Sequence, residues 1–243
     1  MTPRITAAVA GRVLTQIRRD RRTLALLLVL PCLLITLLWW MFEDTPVFDE
    51  VGPALLAMFP FIVMFLVTSV TTLRERSGGT LERLLAMPMG KLDFLVGYAL
   101  AFGAVAAVQA ALAVGLSVGL LGLDVQGPVW LLLVVAVVDA VLGTALGLFV
   151  SAFAQTEFQA VQFMPAVVIP QILLCGLFIP RDQLPQALEW VSNVLPLSYA
   201  VDAMTTLTET TATGDVWSDL AVVAAYAVAG LALGAATLRR RTA

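Results

Sequence analysis

The sequence predicts an all-α membrane protein that crosses the bilayer six times, with both ends in the cytoplasm. Three observations carry this. Of the 243 residues, 60% are hydrophobic and 13% charged, and the mean hydropathy is +0.95, far from the composition of soluble domains. The chain holds six apolar runs of the length a membrane helix needs, roughly 20 residues, because only such a helix satisfies its backbone polar groups across the hydrocarbon. Nearly all lysine and arginine falls on one side of the topology those runs imply.

Residues 1–22 come first. Ile5, Val9, Val13 and Ile17 recur at four-residue spacing with arginines between them. This predicts an amphipathic helix in the interface plane, its basic residues against anionic lipid headgroups; a plain basic anchor is the alternative. The spans follow within residues 23–238: Thr23 to Phe42, Pro53 to Leu73, Phe94 to Leu123, about 128–154, Phe158 to Pro180, and Leu220 to Leu238. The first is too long, and its flanks too charged, for an ordinary cleaved signal peptide, so it reads as a retained helix. Residues 239–243 form a basic cytoplasmic tail.

Charge sets the orientation. Arg4, Arg12, Arg18, Arg19, Arg21 and Arg22 precede the first span. Arg74, Arg76, Arg83 and Lys91 lie between spans two and three, and Arg239, Arg240 and Arg241 close the chain. The opposite side holds Arg181 alone among eleven acidic residues, including Glu43, Asp49, Asp124, Glu189, Asp202 and Asp219. Short loops rich in lysine and arginine stay cytoplasmic, which places both termini inside.

Several chemistries are excluded. There is no histidine, so neither a zinc-binding HExxH helix nor a Ser-His-Asp triad can form. Gly115-Leu116-Ser117-Val118-Gly119 matches GxSxG but sits mid-helix without a base, unlike a nucleophile elbow; its glycines read as a small-residue packing face. Cys32 and Cys175 fall inside spans and read as small buried apolar residues, with no disulfide and no metal site. No GxxxxGK[ST] loop occurs, and no lysine follows Gly78-Gly79 at the P-loop spacing. Energy from ATP must therefore enter through another polypeptide.

Two stretches are more specific. In the inner loop, Leu81, Leu84 and Leu85 follow a glycine pair and precede Pro88, with Glu82 and Arg83 on the other face. A short amphipathic helix and a solvated turn both fit. After span five come Gly176, Phe178 and Pro180, then Leu184-Pro185, Leu188, Val191, and Leu195-Pro196-Leu197-Ser198-Tyr199. Prolines bracket a segment with leucine and valine at helical spacing, which predicts a re-entrant or surface helix on the outside, with a plain loop on the membrane as the alternative.

At these residues the chain resembles the membrane subunit of ABC type-2 exporters, the group of drug-resistance and polysaccharide-export permeases. Glu75, Gly79, Thr80, Leu81, Glu82, Leu84 or Leu85, and Pro88 reproduce the family's inner-loop pattern. Arg76 and Ser77 depart mildly from it. The resemblance implies a fold like the type V ABC exporters. In it Thr80 to Met87 is a coupling helix docked on a separate P-loop ATPase, and the hairpin of Gly176, Phe178, Pro180, Leu184, Pro185, Pro196 and Tyr199 caps the pathway. It also implies pairing with a second permease copy or a paralogue, with ATP and magnesium held by the ATPase and no cofactor on this chain. The subunit would sit in a prokaryotic plasma membrane and move a lipophilic drug, lipid or glycan outward.

Asp139 is the one ionisable residue well inside a span, where a charge costs about 2.5 to 3.5 kcal/mol or more. Gly143, Gly147 and Ser151 continue from it every four residues, a stripe suited to close helix packing. Two readings stay open: a structural partner within the bundle, or part of a pathway for a polar or cationic substrate. A secondary transporter driven by an ion gradient is the alternative function, although such proteins usually carry several intramembrane charges. An intramembrane enzyme lacks both histidine and a carboxylate cluster.

Overall fold

The computed structural model describes residues 3–43, 45–78 and 91–237. These form α1 (Pro3–Arg19), α2 (Arg21–Met41), α3 (Val47–Ser77), α4 (Lys91–Gly119), α5 (Val129–Val150), α6 (Glu157–Leu174), a 3-10 turn (Arg181–Gln183), α7 (Gln186–Ser192), α8 (Pro196–Glu209) and α9 (Gly214–Thr237). There is no strand among the described residues. Helices α2, α3, α4, α5, α6 and α9 are each long and apolar enough to cross a membrane.

Local chemistry sets the helix ends. Asp20 breaks the chain between α1 and α2, its carboxylate accepting from Thr23 N at 3.1 Å and Thr23 Oγ1 at 2.6 Å. Those bonds satisfy a free amide at the helix start and hold the Asp20 carboxyl below its usual pKa. Thr156 caps α6 by accepting from Gln159 N at 3.2 Å, while Gln159 Oε1 accepts from Gln155 N at 2.8 Å, a reciprocal cap. Helix α3 starts six residues before its apolar run, with Asp49 and Glu50 in the first turn, where carboxylates complement the helix dipole. The third apolar run reaches Leu123, but α4 stops at Gly119. Gly122 adopts a left-handed φ of 74°, open to glycine at little cost, and turns the chain back. Leu123 then seats on Gly52, where a Cβ would lie 2.8 Å from Leu123 Cδ1.

Helix α5 is the axis of the bundle, with α3, α4 and α9 packed round it. Its buried residues run from Leu131 to Val150 and include Asp139, Gly143 and Gly147. Helices α3 and α5 run in the same direction and nearly touch. A Cβ at Gly143 would lie 2.4 Å from Phe61 O, and one at Gly147 2.5 Å from Phe65 O. Between membrane helices, where burying apolar surface gives no net drive, such close backbone contact supplies the attraction. Gly230 and Gly234 of α9 face the opposite side of α5, at Ala145 and Phe149, as a packing face should.

Within this chain Gly115 and Gly119 of α4 pack against no other helix: nothing lies within 4 Å of a Cβ at either one. Both point away from the helices that α4 packs against. Helices α2 and α6 are peripheral and mostly exposed. The apolar stripe of α1 is Thr6, Val9, Val13 and Ile17, with Thr6 in the place expected for Ile5, which is half-buried. That stripe rests on the bundle. Val9 covers Gly97 of α4, where a Cβ would lie 2.7 Å from Val9 Cγ1.

Candidate functional site

The inner loop springs from the end of α3 and the start of α4, and α1 grips both stems. On α3, Glu75 is 6% exposed and its Oε1 accepts from Arg12 Nη2 of α1 at 3.1 Å. On α4, buried Asp93 accepts from Thr6 Oγ1 of α1 at 3.1 Å. Thr6 and Arg12 lie six residues apart, so one short helix is tied to both stems at once. A third tie reaches α6, where Arg74 Nε and Nη2 bond Glu157 at 2.8 and 3.0 Å. Both of those partners are more than half exposed, so water screens this fork and it contributes less than the buried ties.

Glu75 is the one member of the inner-loop pattern among the described residues. Gly79, Thr80, Leu81, Glu82, Arg83, Leu84, Leu85, Met87 and Pro88 lie outside them. Thr6, Arg12 and Asp93 carry no sequence motif; the signal that could have marked Asp93 is a lone carboxylate in the first turn of an apolar helix.

At the opposite end the proline-bracketed segment folds around Arg181. Gly176, at φ 98°, turns the chain out of α6, and Phe178 and Ile179 project from the molecule. Pro180 precedes the 3-10 turn, Leu184 follows it, Pro185 precedes α7 and Pro196 opens α8. Arg181 Nε donates to Ser192 Oγ at 2.8 Å, and the guanidinium also bonds Asp202 and Asn193. It lies 5.2 Å from the ring centre of Tyr199, whose hydroxyl donates to Asn193 O at 2.7 Å. Ser192 Oγ donates to Leu174 O at 2.7 Å, and Gln171 Oε1 accepts from Leu197 N at 3.3 Å, joining the segment to α6. Burial raises the Asp202 carboxyl above its usual pKa, and Arg181 draws it back. In the sequence Arg181 stands out only as the one basic residue on the acidic side. A lone cation in an acidic end needs several acceptors, which was the available signal.

Asp139 is fully buried, and neither carboxylate oxygen has a hydrogen-bond partner among the described residues. One and two turns on, Gly143 and Gly147 meet the α3 backbone. Their placement fits the packing reading of the stripe. Buried polar atoms without partners cost about 1 to 3 kcal/mol, so Asp139→Val is expected to leave the thermal midpoint unchanged or raise it. If the midpoint falls by several degrees, Asp139 has a structural partner; if stability holds while transport is lost, it belongs to the pathway.

The ABC-2 type transporter family model matches residues 5–207. Over 156 residues the chain is 27% identical to ABC transporter G family member 20 of Dictyostelium discoideum, covering 64% of this chain and 21% of that protein. It is 28% identical over 152 residues to the probable multidrug ABC transporter permease YbhR of Escherichia coli (strain K12), covering 63% and 41%. With the inner membrane transport permease YhhJ of the same organism it shares 26% over 141 residues, 58% and 38%. These matches thus span between about one fifth and two fifths of the relatives' own lengths. With six helices fit to cross a membrane and a family match over most of its length, the chain is a multi-pass membrane protein and belongs to the ABC-2 type transporter family.

Proposed function

We propose that this chain is the permease half of an ATP-driven exporter, and that α1 couples its transmembrane bundle to a separate ATPase. The observation that carries the reading is the double brace: Arg12 on Glu75 and Thr6 on Asp93 tie one helix to both stems of the inner loop. A force on that loop then moves α1, α3 and α4 together. The ATPase binds ATP and magnesium and docks against Thr80 to Met87 in the cytoplasm. ATP closes a pair of ATPases, and the linked loops tilt two permease copies apart. The second copy is the same chain or a paralogue, and the pathway runs between them beneath the Arg181 hairpin.

Membership of the family supports a transport subunit whose ATPase is another chain. Outward transport of a lipophilic drug, lipid or glycan is favoured by the apolar bundle and by the multidrug name of one relative. The arginine-rich end faces the cytoplasm by the positive-inside rule, which puts both termini there, in the plasma membrane of a prokaryote.

Affinity purification from native membranes tests the reading. The tagged chain is expected to retain a P-loop ATPase in near-equal amount, and Glu82→Ala or Leu85→Ala is expected to release it while the chain stays inserted. Recovery of the chain without any ATPase, under conditions that keep its own copies together, sinks the proposal.

A further inference from the structure

Pro31 lies inside α2. It has no N–H to give the carbonyl four residues back, so Leu27 O loses its helical partner. That oxygen instead accepts from Gln109 Nε2 of α4 at 2.8 Å. Leu27, Pro31 and Gln109 are all buried, and Gln109 Oε1 has no partner among the described residues. In lipid a neighbouring helix commonly satisfies a carbonyl freed by proline; what sets this bond apart is its place. The buried apolar side chains form two main clusters. Leu27 of α2 and Val105 and Ala106 of α4 belong to one, together with Val9, Val13 and Ile17 of α1. Ile35 of α2 and Ala110 and Ala113 of α4 belong to the other, with the core of α8 and most of that of α5. Proline and glutamine therefore sit on the seam between the cluster that α1 joins and the main core.

We propose that Pro31 and Gln109 make a joint in α2. The outer half, Cys32 to Met41, swings about Pro31, and Gln109 is the positioning residue that holds the inner half on α4. Helix α4 runs through the seam without a proline, so α2 is the element that bends there, proline being a usual site of helix kinks. The pair is also costlier than packing needs. With P31A and Q109L together, α2 would close on its own N–H and no amide oxygen would be buried without a partner. The direction of the motion rests on the exporter reading above. Helix α1 is braced to both stems of the inner loop, so a force on that loop displaces the α1 cluster against the main core. The displacement is taken up at the seam, where α2 can bend and Gln109 keeps Leu27 O satisfied while it does.

Two measurements on the chain with its co-purified ATPase test this. In thermal unfolding, Q109L is expected to lower the midpoint by about 2 to 4 °C where Pro31 is kept, and not at all where P31A restores the helical N–H. An equal loss in both backgrounds overturns the link between the two residues. Spin labels in a C32A/C175A background read the motion. Leu37 and Leu112 are exposed on the outer halves of α2 and α4, and Leu26 and Leu100 on the inner halves. Leu37 lies about 9 Å beyond Pro31, so a swing of about 20° moves it about 3 Å. A non-hydrolysable ATP analogue is expected to shift the L37C–L112C distance by that amount and to leave L26C–L100C unchanged. In the P31A/Q109L form it should move neither. An equal shift of both pairs overturns the joint, as does a shift that survives P31A/Q109L. No shift in a complex that still transports with ATP also overturns it, and leaves the exporter reading standing. Transport that needs no ATP sinks the exporter reading and the driven motion with it.

Discussion

Alanine at Gly147 should destabilise the bundle by about 1 to 3 kcal/mol, and alanine at Gly143 by at least as much. The added Cβ would sit 2.5 Å from Phe65 O at one position and 2.4 Å from Phe61 O at the other. Both opposing atoms are backbone, so no side chain can swing aside. Helices α3 and α5 must separate, and the loss spreads along the whole contact. Gly115→Ala and Gly119→Ala are the controls, because nothing lies within 4 Å of either new Cβ. There alanine should be neutral, or stabilising by roughly 0.5 to 1 kcal/mol through the lower backbone entropy of its unfolded state. Thermal unfolding of the four variants in one detergent decides the matter. A G147A protein as stable as G115A contradicts the close α3–α5 contact.

The second large effect is on coupling. Glu75→Gln removes the charge that holds Arg12, and Asp93→Asn weakens the bond from Thr6. Each is expected to lower export about tenfold, equivalent to about 1.4 kcal/mol, while ATP hydrolysis continues and the ATPase stays bound. The brace acts between the docking segment and the bundle, so its loss slackens transmission without removing the docking face. Changes at Glu82 or Leu85 differ in releasing the ATPase itself. A double cycle on Arg12 and Glu75 measures the tie directly, since only groups in contact show an interaction energy beyond the sum of the singles. Arg12 is 35% exposed, so the coupling should fall below the 3 to 5 kcal/mol, in round terms, of a fully buried pair. Export by E75Q at the unmodified rate would remove α1 from the mechanism.

The number of membrane helices and the gathering of basic charge at one end were legible because each rests on local composition. Which face of each helix turns inward was much less so. In α4, α5 and α6 apolar residues are spread round the whole helix, so no periodicity separates the side that meets protein from the side that meets lipid. Small residues were the remaining cue, and they served unevenly: Gly143, Gly147 and Gly230 meet neighbouring helices, while Gly115 and Gly119 meet nothing within the subunit. The stripe on α1 was readable from its spacing. That α4 and the bundle cover it follows from Gly97, whose missing side chain admits Val9, and no local rule connects positions 9 and 97. The ties of Thr6 to Asp93 and of Arg181 to Ser192, Asn193 and Asp202 are contacts of the same kind, set by how the helices meet.

Transport in vesicles tests the central claim most directly. The chain is reconstituted with its co-purified ATPase, and the movement of a lipophilic fluorescent substrate is followed with ATP, with a non-hydrolysable analogue, and with an imposed ion gradient alone. Movement should require both hydrolysable ATP and the ATPase, and should survive collapse of the gradient. Transport that runs without ATP and stops when the ion gradient is dissipated would contradict the account and identify a gradient-driven carrier.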